Sequence, residues 1–165
     1  MCFVVEECVD SIIKRRAIDI IDNAFTISIL SRENFEELFD KIDKYADFII
    51  ALHSNRIVGY AAIYANNMEK KEAFITLIGV DRDFQHQGLG HLLMLKCKEI
   101  AAKKGMKTIR LEVLYVDVGA QRFYRKMGFK EMELPASQNS LFFLMEIWLG
   151  RKIEDNSLTP VSFEC

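Results

Sequence analysis

Two glycines that stand two positions apart, in the stretch FQHQGLGHLL at residues 84–93, constrain the fold of this 165-residue chain more than any other feature. The stretch follows an uninterrupted apolar run, AFITLIGV at 73–80, which is typical of a strand buried on both faces at the centre of a sheet. From Leu89 onward, apolar residues recur at helical spacing. A central strand followed so closely by a helix predicts a mixed sheet with helices packed on it.

The other residue patterns predict the remaining helices and strands. Helical spacing of apolar residues predicts helices at 7–25, 31–45, 88–105 and 118–128. Apolar and alternating runs predict strands at 47–53, 56–65, 73–80 and 107–116, followed by a closing hairpin formed by 129–134 and 140–149. We expect residues 1–150 to form a single domain and the polar residues 151–165 to form a C-terminal tail.

Charge and hydropathy argue against several classes of partner. A net charge of -2 and a pI of about 6.0 predict no nucleic-acid partner. No apolar run approaches the roughly 18 residues of a membrane-spanning helix, and the N-terminus lacks the pattern of a signal peptide. The cysteines and histidines are not spaced as zinc ligands, so that we expect no metal site. The prediction is a cytoplasmic protein with no membrane partner.

The glycines predict a phosphate-containing ligand. A helix that begins at Gly88 presents unpaired N–H groups and the positive end of its dipole, and glycine lets a phosphate approach the backbone closely. A Rossmann fingerprint would need a third glycine at position 93, which is Leu93, and the P-loop pattern is absent. The acyl-CoA loop pattern [Q/R]-x-x-G-x-[G/A] is matched by Gln85, Gly88 and Gly90. A tight strand-to-helix turn with no ligand also fits this stretch taken alone.

A second motif decides between these alternatives. The stretch LEVLYVDVGAQRFYRKMGF at 111–129 resembles the second half of the GNAT superfamily of acyl-CoA N-acyltransferases, which commonly runs L-x-V…N-x-x-A…F-Y-x-x-x-G-F. The glycine stretch resembles the same family, in the same order and at a fitting spacing, and the resemblance covers about residues 72–131. It implies an α+β fold with a mixed, mostly antiparallel twisted sheet flanked by about four helices. It also implies that two central strands splay apart and that acetyl-CoA lies in the gap.

The resemblance implies a set of cofactor-binding residues. Backbone groups of Ile78 and Val80 are expected to bind the pantetheine arm. The pyrophosphate is expected to lie on the loop and helix start formed by Gln85, His86, Gln87, Gly88, Leu89, Gly90 and His91. Further cofactor contacts are expected from Asp117, Ala120, Phe123 and Tyr124. Two positions depart from the family pattern: His86 stands where many relatives have glycine, and Asp117 stands where asparagine is frequent. For Asp117 we favour the alternative that its carboxylate caps the helix that follows.

Catalytic roles follow from the same resemblance. Tyr124 matches a tyrosine that lies near the thioester sulfur in many relatives, and is expected to act as the general acid that protonates the leaving CoA thiolate. Phe74 occupies the place where some relatives carry a glutamate. Strict two-residue alternation places Glu72 on the same strand face as Ile78 and Val80, so that Glu72 is the candidate general base, acting through water. Glu112 is interpreted as a structural carboxylate.

The predicted function is therefore N-acetyltransfer. Acetyl-CoA is the co-substrate, no metal takes part, and the acceptor is the primary amine of a small molecule such as an amino sugar. Two alternatives stay open: acetylation of a protein N-terminus or lysine, and a CoA-binding module without turnover. The apolar strand at 140–149 leads us to expect that a homodimer could form. The acceptor and the length of the acyl group are not determined by the sequence.

Overall fold

The fold was analysed in a computed structural model that describes residues 2–133 and 141–150. Four α-helices are described: α1 Ser11–Ile21, α2 Phe35–Tyr45, α3 Leu89–Lys103 and α4 Val118–Lys126. Seven strands are described: β1 Val4–Glu7, β2 Asp47–His53, β3 Arg56–Asn67, β4 Glu72–Val80, β5 Thr108–Leu114, β6 Lys130–Glu131 and β7 Phe142–Trp148. The predicted tail at 151–165 lies outside the described residues.

The seven strands form one sheet in the order β1-β2-β3-β4-β5-β7-β6. Neighbouring strands are antiparallel except for β4 and β5, which are parallel. The predicted fold class is confirmed, and β4 lies at the centre of the sheet as its uninterrupted apolar run indicated. In the part of the chain that the structure describes, no helix is long and apolar enough to cross a membrane.

Helices cover both faces of the sheet and enclose two separate cores. Helix α3 packs on one face, where Leu93, Met94 and Cys97 are fully buried against β3, β4 and β5. Helices α1 and α2 pack on the other face, where Ile18 and Ile42 meet the opposite side of β2 and β3. The central strands are continuous apolar runs in the sequence because their residues are buried on both faces of the sheet.

A β-bulge in β4 reverses which residues face each core. Ala62 of β3 lies opposite Leu77, but the next residue, Ile63, lies opposite Ile75, so that Thr76 is an extra residue in β4. Ile75 consequently packs in the α3 core, whereas Leu77 packs in the core of α1 and α2. The strict alternation expected from the sequence is therefore wrong beyond Thr76. Glu72 does not share a strand face with Ile78 and Val80, because the extra residue shifts by one position the alternation of side chains between the two faces.

The central strands part immediately before this bulge. The parallel ladder between β4 and β5 runs from the pair Glu72–Thr108 only as far as the pair Ile75–Leu111. Strand β4 nevertheless continues to Val80, and β5 continues to Leu114. The predicted splaying of two central strands is thus present, and it places a gap in the middle of the sheet.

The N-terminal elements differ from the predicted bounds. The helix predicted at 7–25 begins only at Ser11, because the Asp10 carboxylate accepts hydrogen bonds from the N–H groups of Ile12 and Ile13 and so caps it there. Residues Val4–Glu7 instead form β1 on the edge of the sheet, paired with β2. The sequence analysis missed this strand because it is only four residues long and largely exposed.

The second helix also begins later than predicted. Helix α2 starts at Phe35, and the Ser31 hydroxyl donates to the Ser28 carbonyl oxygen within the preceding turn rather than capping the helix. Ser54 and Asn55 form the tight turn between β2 and β3, with φ values of 48° and 62°. The closing hairpin forms as expected, although the described part of its first strand is only two residues long.

Helix α4 is fixed to the end of β5 by two side chains. The Asp117 carboxylate accepts a hydrogen bond of 2.9 Å from the Ala120 N–H, so that it caps the helix as favoured from the sequence. The buried Gln121 amide donates to the carbonyl oxygens of Leu114 and Tyr115, at 3.0 and 2.9 Å. These contacts hold α4 across the mouth of the gap between the strands.

Gly79 is required by close packing between β4 and α1. A Cβ atom at this position would lie 3.0 Å from the Phe25 ring and 3.2 Å from Cγ2 of Ile21. We expect Gly79→Ala to lower the free energy of unfolding by roughly 1 kcal/mol, because the two neighbours must move. Urea denaturation measures this change, with Gly150→Ala as the control, since a Cβ there meets no atom within 4 Å. A Gly79→Ala protein as stable as the control variant would contradict the packing argument.

The cap on α4 gives a second stability prediction. Asp117→Ala removes the acceptor for the Ala120 N–H and should lower the free energy of unfolding by about 1 kcal/mol. Asp117→Asn keeps an oxygen in the same place and should unfold within a few tenths of a kcal/mol of the wild type, by the ranking of cap residues. Denaturant unfolding of the three proteins makes the comparison. Equal stability of the alanine and asparagine variants would show that the cap contributes nothing.

Candidate active site

A cleft of about 820 Å³ opens where β4 and β5 part. Its floor is the end of β4 from Thr76 to Val80 and the end of β5 from Leu111 to Leu114. The loop and first turn of α3 line one side, together with α4. Residues 24–32, between α1 and α2, supply further lining from the other helical layer. The cleft therefore joins the glycine loop to the opposite face of the sheet.

Backbone groups of Ile78 and Val80 face the gap. The Asp81 N–H donates to the Val58 carbonyl oxygen at 2.9 Å, toward β3. Because backbone groups alternate in direction along a strand, those of Val80 and Ile78 point away from β3, toward the space that β5 has left. Both residues line the cleft. The Val80 carbonyl oxygen accepts a hydrogen bond of 3.0 Å from the Gln85 side chain, which fixes the loop to the end of the strand.

The loop that follows β4 has a conformation that suits anion binding. Gly88 is the N-cap of α3 with a φ of 86°, a left-handed conformation that glycine adopts without strain. His86 has a φ of 60°, also left-handed, a conformation that glycine adopts more readily than a residue with a side chain. The first N–H groups of α3 lack helical acceptors and open toward the cleft, so that they could bind phosphate oxygens.

Most of the predicted loop residues line the cleft, and two do not. Gln85, His86, Gly88, Gly90 and His91 are in its wall. The Gln87 side chain instead donates to the Asp83 carbonyl oxygen at 3.2 Å, and the Leu89 side chain is buried in the α3 core. Neither residue therefore contributes a side chain to the cleft.

Gly90 permits the close approach of α3 and α4. A Cβ atom on Gly90 would lie 3.4 Å from the Phe123 ring. His91, one residue on, places Nδ1 3.0 Å from Sδ of Met127 at the end of α4. The two helices thus meet beside the glycine loop, and the predicted residues Asp117, Ala120, Phe123 and Tyr124 line the same cleft.

Tyr124 is a neutral phenol on the wall of the cleft. Its ring packs edge-on to Phe123 and Phe129, with centroids 5.4 and 5.9 Å away. Burial raises the pKa of Tyr124, and the negative charge of Asp117 raises it further. The hydroxyl consequently remains protonated at neutral pH and is available as a hydrogen-bond or proton donor.

Glu72 does not reach this cleft. Its carboxylate forms an ion pair of 2.9 Å with the Arg110 guanidinium, which also pairs with Glu146 at 2.6 Å. The acidic residues that line the cleft, among those the structure describes, are Glu112 and Asp117. Asp117 is engaged as the cap of α4, and no described residue forms a hydrogen bond or ion pair with the Glu112 side chain. Glu112 was interpreted from the sequence as a structural carboxylate, but it is the carboxylate that faces the ligand space. The signal for this is its place on β5, just beyond the last residue that pairs with β4.

The segment between α1 and α2 forms an apolar wall that the sequence analysis did not assign to the site. Phe25, Ile27 and Ile29 line it, and Arg32 closes its far end. The Asp22 carboxylate holds the segment in place by accepting hydrogen bonds of 2.7 Å from the Ser28 hydroxyl and from the Ile29 N–H. Within the described ranges, no group of three or more metal-ligating side chains occurs.

Comparison with known proteins agrees with this architecture. The profile of the Acetyltransferase (GNAT) family matches residues 15–129. An uncharacterized N-acetyltransferase of Methanocaldococcus jannaschii is 37% identical over 91 residues, which are 53% of this chain and 40% of that protein. The [ribosomal protein bS18]-alanine N-acetyltransferase of Escherichia coli is 35% identical over 71 residues, which are 43% of this chain and 48% of that protein. The matched segments span less than half the length of these curated relatives.

A solved structure shows the same fold. The PaiA N-acetyltransferase from Thermoplasma acidophilum, crystallised in complex with coenzyme A, superposes with a TM-score of 0.68 at 18% identity, covering 88% of this chain and 98% of that one. The family resemblance, the fold class and the cofactor predicted from the two motifs are confirmed. Because the family profile spans well over half of the chain and the glycine loop lies beside parted central strands, the chain belongs to the GNAT acetyltransferase family, whose fold uses acetyl-CoA.

Proposed function

We propose that this protein is an acetyl-CoA-dependent N-acetyltransferase that acts on a primary amine by direct attack. The observation that carries the proposal is the gap between β4 and β5, which connects the glycine loop on one face of the sheet with the apolar wall at 24–32 on the other. A thioester held in that gap is accessible to an amine that approaches from the opposite side.

The position of the cofactor follows from the backbone groups that lack hydrogen-bond partners. We place the pyrophosphate on the loop and helix start at 85–91, where N–H groups and the helix dipole favour an anion. The pantetheine amides then extend along β4 and replace the missing strand by bonding to Ile78 and Val80. Arg122 and Lys126, on the same side of the cleft, add positive charge near the phosphates.

The cleft contains groups suited to each proton transfer. Glu112 accepts a proton from the acceptor ammonium, directly or through one water, and so generates the neutral nucleophile. The amine nitrogen attacks the thioester carbonyl carbon, and a β4 backbone N–H near Val80 stabilises the oxyanion. When the carbon–sulfur bond breaks, Tyr124 donates its proton to the CoA thiolate and regains one from the nitrogen of the tetrahedral intermediate, directly or through water. The products are the acetylated amine and CoA.

The acceptor that we propose first is a small molecule with a primary amine. The apolar wall at 24–32 and the limited volume of the cleft support a compact acceptor. A second candidate is the terminal amine of a protein, which is favoured by the similarity to the E. coli enzyme named for an alanine of ribosomal protein bS18. Cytoplasmic location and a single domain at 1–150 complete the proposal on the basis of composition and length.

A homodimer through the strand at 140–149 stays a prediction. Strand β7 lies between β5 and β6, but β6 covers only Met145 and Glu146 in the described pairing. The Met132 N–H bonds to the Leu144 carbonyl oxygen, so that pairing on this side extends as far as Leu144.

The role of Tyr124 is tested by Tyr124→Phe. The phenyl ring keeps the packing against Phe123 and Phe129 but removes the proton donor, and kcat should fall by roughly 10²-fold or more, as expected for loss of a general acid. The Kd for acetyl-CoA, measured by calorimetry, should not change. Tyr115→Phe is the control, since Tyr115 is 51% exposed and lies outside the cleft. Equal turnover of Tyr124→Phe and Tyr115→Phe would exclude Tyr124 as the acid.

The identity of the base is tested by comparing two glutamates. Glu112→Gln should lower kcat at neutral pH and remove the acid limb of its pH profile, because that limb reports protonation of the base. Glu72→Gln should retain the acid limb of the pH profile and most of the turnover, because the Glu72 carboxylate of the wild type is paired with Arg110 away from the cleft. The reverse result would return the role of base to Glu72.

A further inference from the structure

Arg32 lines the acceptor side of the cleft with a guanidinium that has no ion-pair partner among the described residues. It is half-buried, and its backbone is fixed by two hydrogen bonds: the Arg32 N–H donates to Ile29 O at 3.2 Å, and the Arg32 carbonyl oxygen accepts from Phe35 N at 3.0 Å. The guanidinium itself forms no hydrogen bond or ion pair with any residue in the described ranges. Its neighbours on the wall, Phe25, Ile27 and Ile29, carry no charge.

Two acidic side chains, one on each side of this segment in the sequence, are engaged by groups other than Arg32. Asp22 accepts bonds from the Ser28 hydroxyl and the Ile29 N–H. Glu36 is held by both terminal nitrogens of Arg15, at 3.0 and 2.7 Å. Five N–H donors on a guanidinium in a partly desolvated apolar site favour an anionic ligand, and its planar geometry matches a carboxylate.

A buried hydroxyl lies close to the same place. Tyr60 is fully buried on β3, and its hydroxyl has no hydrogen-bond partner among the residues described. Burial and the Asp22 carboxylate raise the pKa of Tyr60, while the positive charge of Arg32 lowers it in part, which places both charged groups within electrostatic reach of the phenol. Asp22 keeps its negative charge, because its hydrogen-bond donors are neutral, but no hydrogen bond or ion pair joins it to Arg32 in the described residues.

We infer that Arg32 binds a carboxylate of the acceptor, so that the protein acetylates primary amines that carry both a carboxylate and an apolar group. The inference rests on the proposed function and specifies its substrate class. Arg32 lies in the wall on the α1 and α2 side, whereas the phosphate-binding loop and α4 form the other side. Arg32 is therefore assigned to the acceptor and not to the phosphates of CoA.

The test compares acceptors that differ only in charge. CoA thiol release is measured with leucine and phenylalanine against leucinamide and phenylalaninamide, and with Ala-Glu amide against Ala-Gln amide. The first pairs represent free amino acids and the last represents a peptide. Each acid-to-amide ratio of kcat/KM is measured for wild type, Arg32→Gln and the control Arg16→Gln, whose exposed arginine lies on α1 outside the cleft. Comparing ratios between proteins cancels the difference in amine basicity between acid and amide.

The ratio should fall by roughly tenfold to a hundredfold in Arg32→Gln, the range expected for loss of a charge-assisted hydrogen bond, and should be unchanged in Arg16→Gln. A fall for leucine and phenylalanine identifies the carboxylate as that of a free amino acid. A fall for Ala-Glu amide identifies it as a side-chain carboxylate of a peptide. The Kd for acetyl-CoA should be the same in all three proteins. An equal ratio in wild type and Arg32→Gln would overturn the inference while leaving the transferase activity intact.

A binding measurement separates this inference from the proposed function. The CoA-loaded protein is titrated with 4-methylpentanoate, which is leucine without its amine, and with 4-methylpentanamide as the neutral control. The NMR signal of the Arg32 Nε–H, assigned by its absence from Arg32→Gln, should shift with the carboxylate and not with the amide. A shift without turnover of any amine would contradict the proposed function but support the carboxylate site, and no shift would overturn the site.

Discussion

The interruption of the ladder between β4 and β5 is the constraint on which the rest of the structure depends. After the pair Ile75–Leu111, the strands continue without bonding to each other, and the backbone groups of Ile78 and Val80 are left facing a gap. Backbone donors and acceptors in the middle of a sheet need partners. In the proposed complex the amides of a pantetheine arm supply them, and the cofactor takes the place of a strand. The bulge at Thr76 bends β4 immediately after its last pair with β5.

The electrostatics of the cleft follow from the same arrangement. One end presents helix N–H groups and basic side chains of α4, which suits the phosphates of CoA. In the middle, Tyr124 is a neutral phenol whose pKa burial raises further, and Glu112 is the one of the two described cleft carboxylates that has no hydrogen bond or ion pair. The far end is an apolar wall with the single cation of Arg32. In the proposed function the cleft therefore separates a site for an anionic cofactor, a site for proton transfer and a site for the acceptor.

The fold and the cofactor could be predicted from sequence because both depend on local patterns. The central strand AFITLIGV, the glycines at 88 and 90, and the segment 117–129 are short and regular, and the structure places them where they were expected. The strand face of Glu72 was predicted wrongly for a physical reason. One extra residue at Thr76 inverts the strand faces, and no feature of the sequence marks a bulge there. Arg32 was not predicted as a site residue, because only the three-dimensional contacts show that its guanidinium has no hydrogen bond or ion pair with a described residue.

Whether CoA completes the sheet along β4 can be measured by amide hydrogen exchange at Ile78 and Val80, followed by NMR with and without CoA. We expect slower exchange of these two amides when CoA is bound, and no change when ATP or NAD is added at the same concentration. Binding of CoA without protection of either amide, or no binding at all, would contradict this expectation.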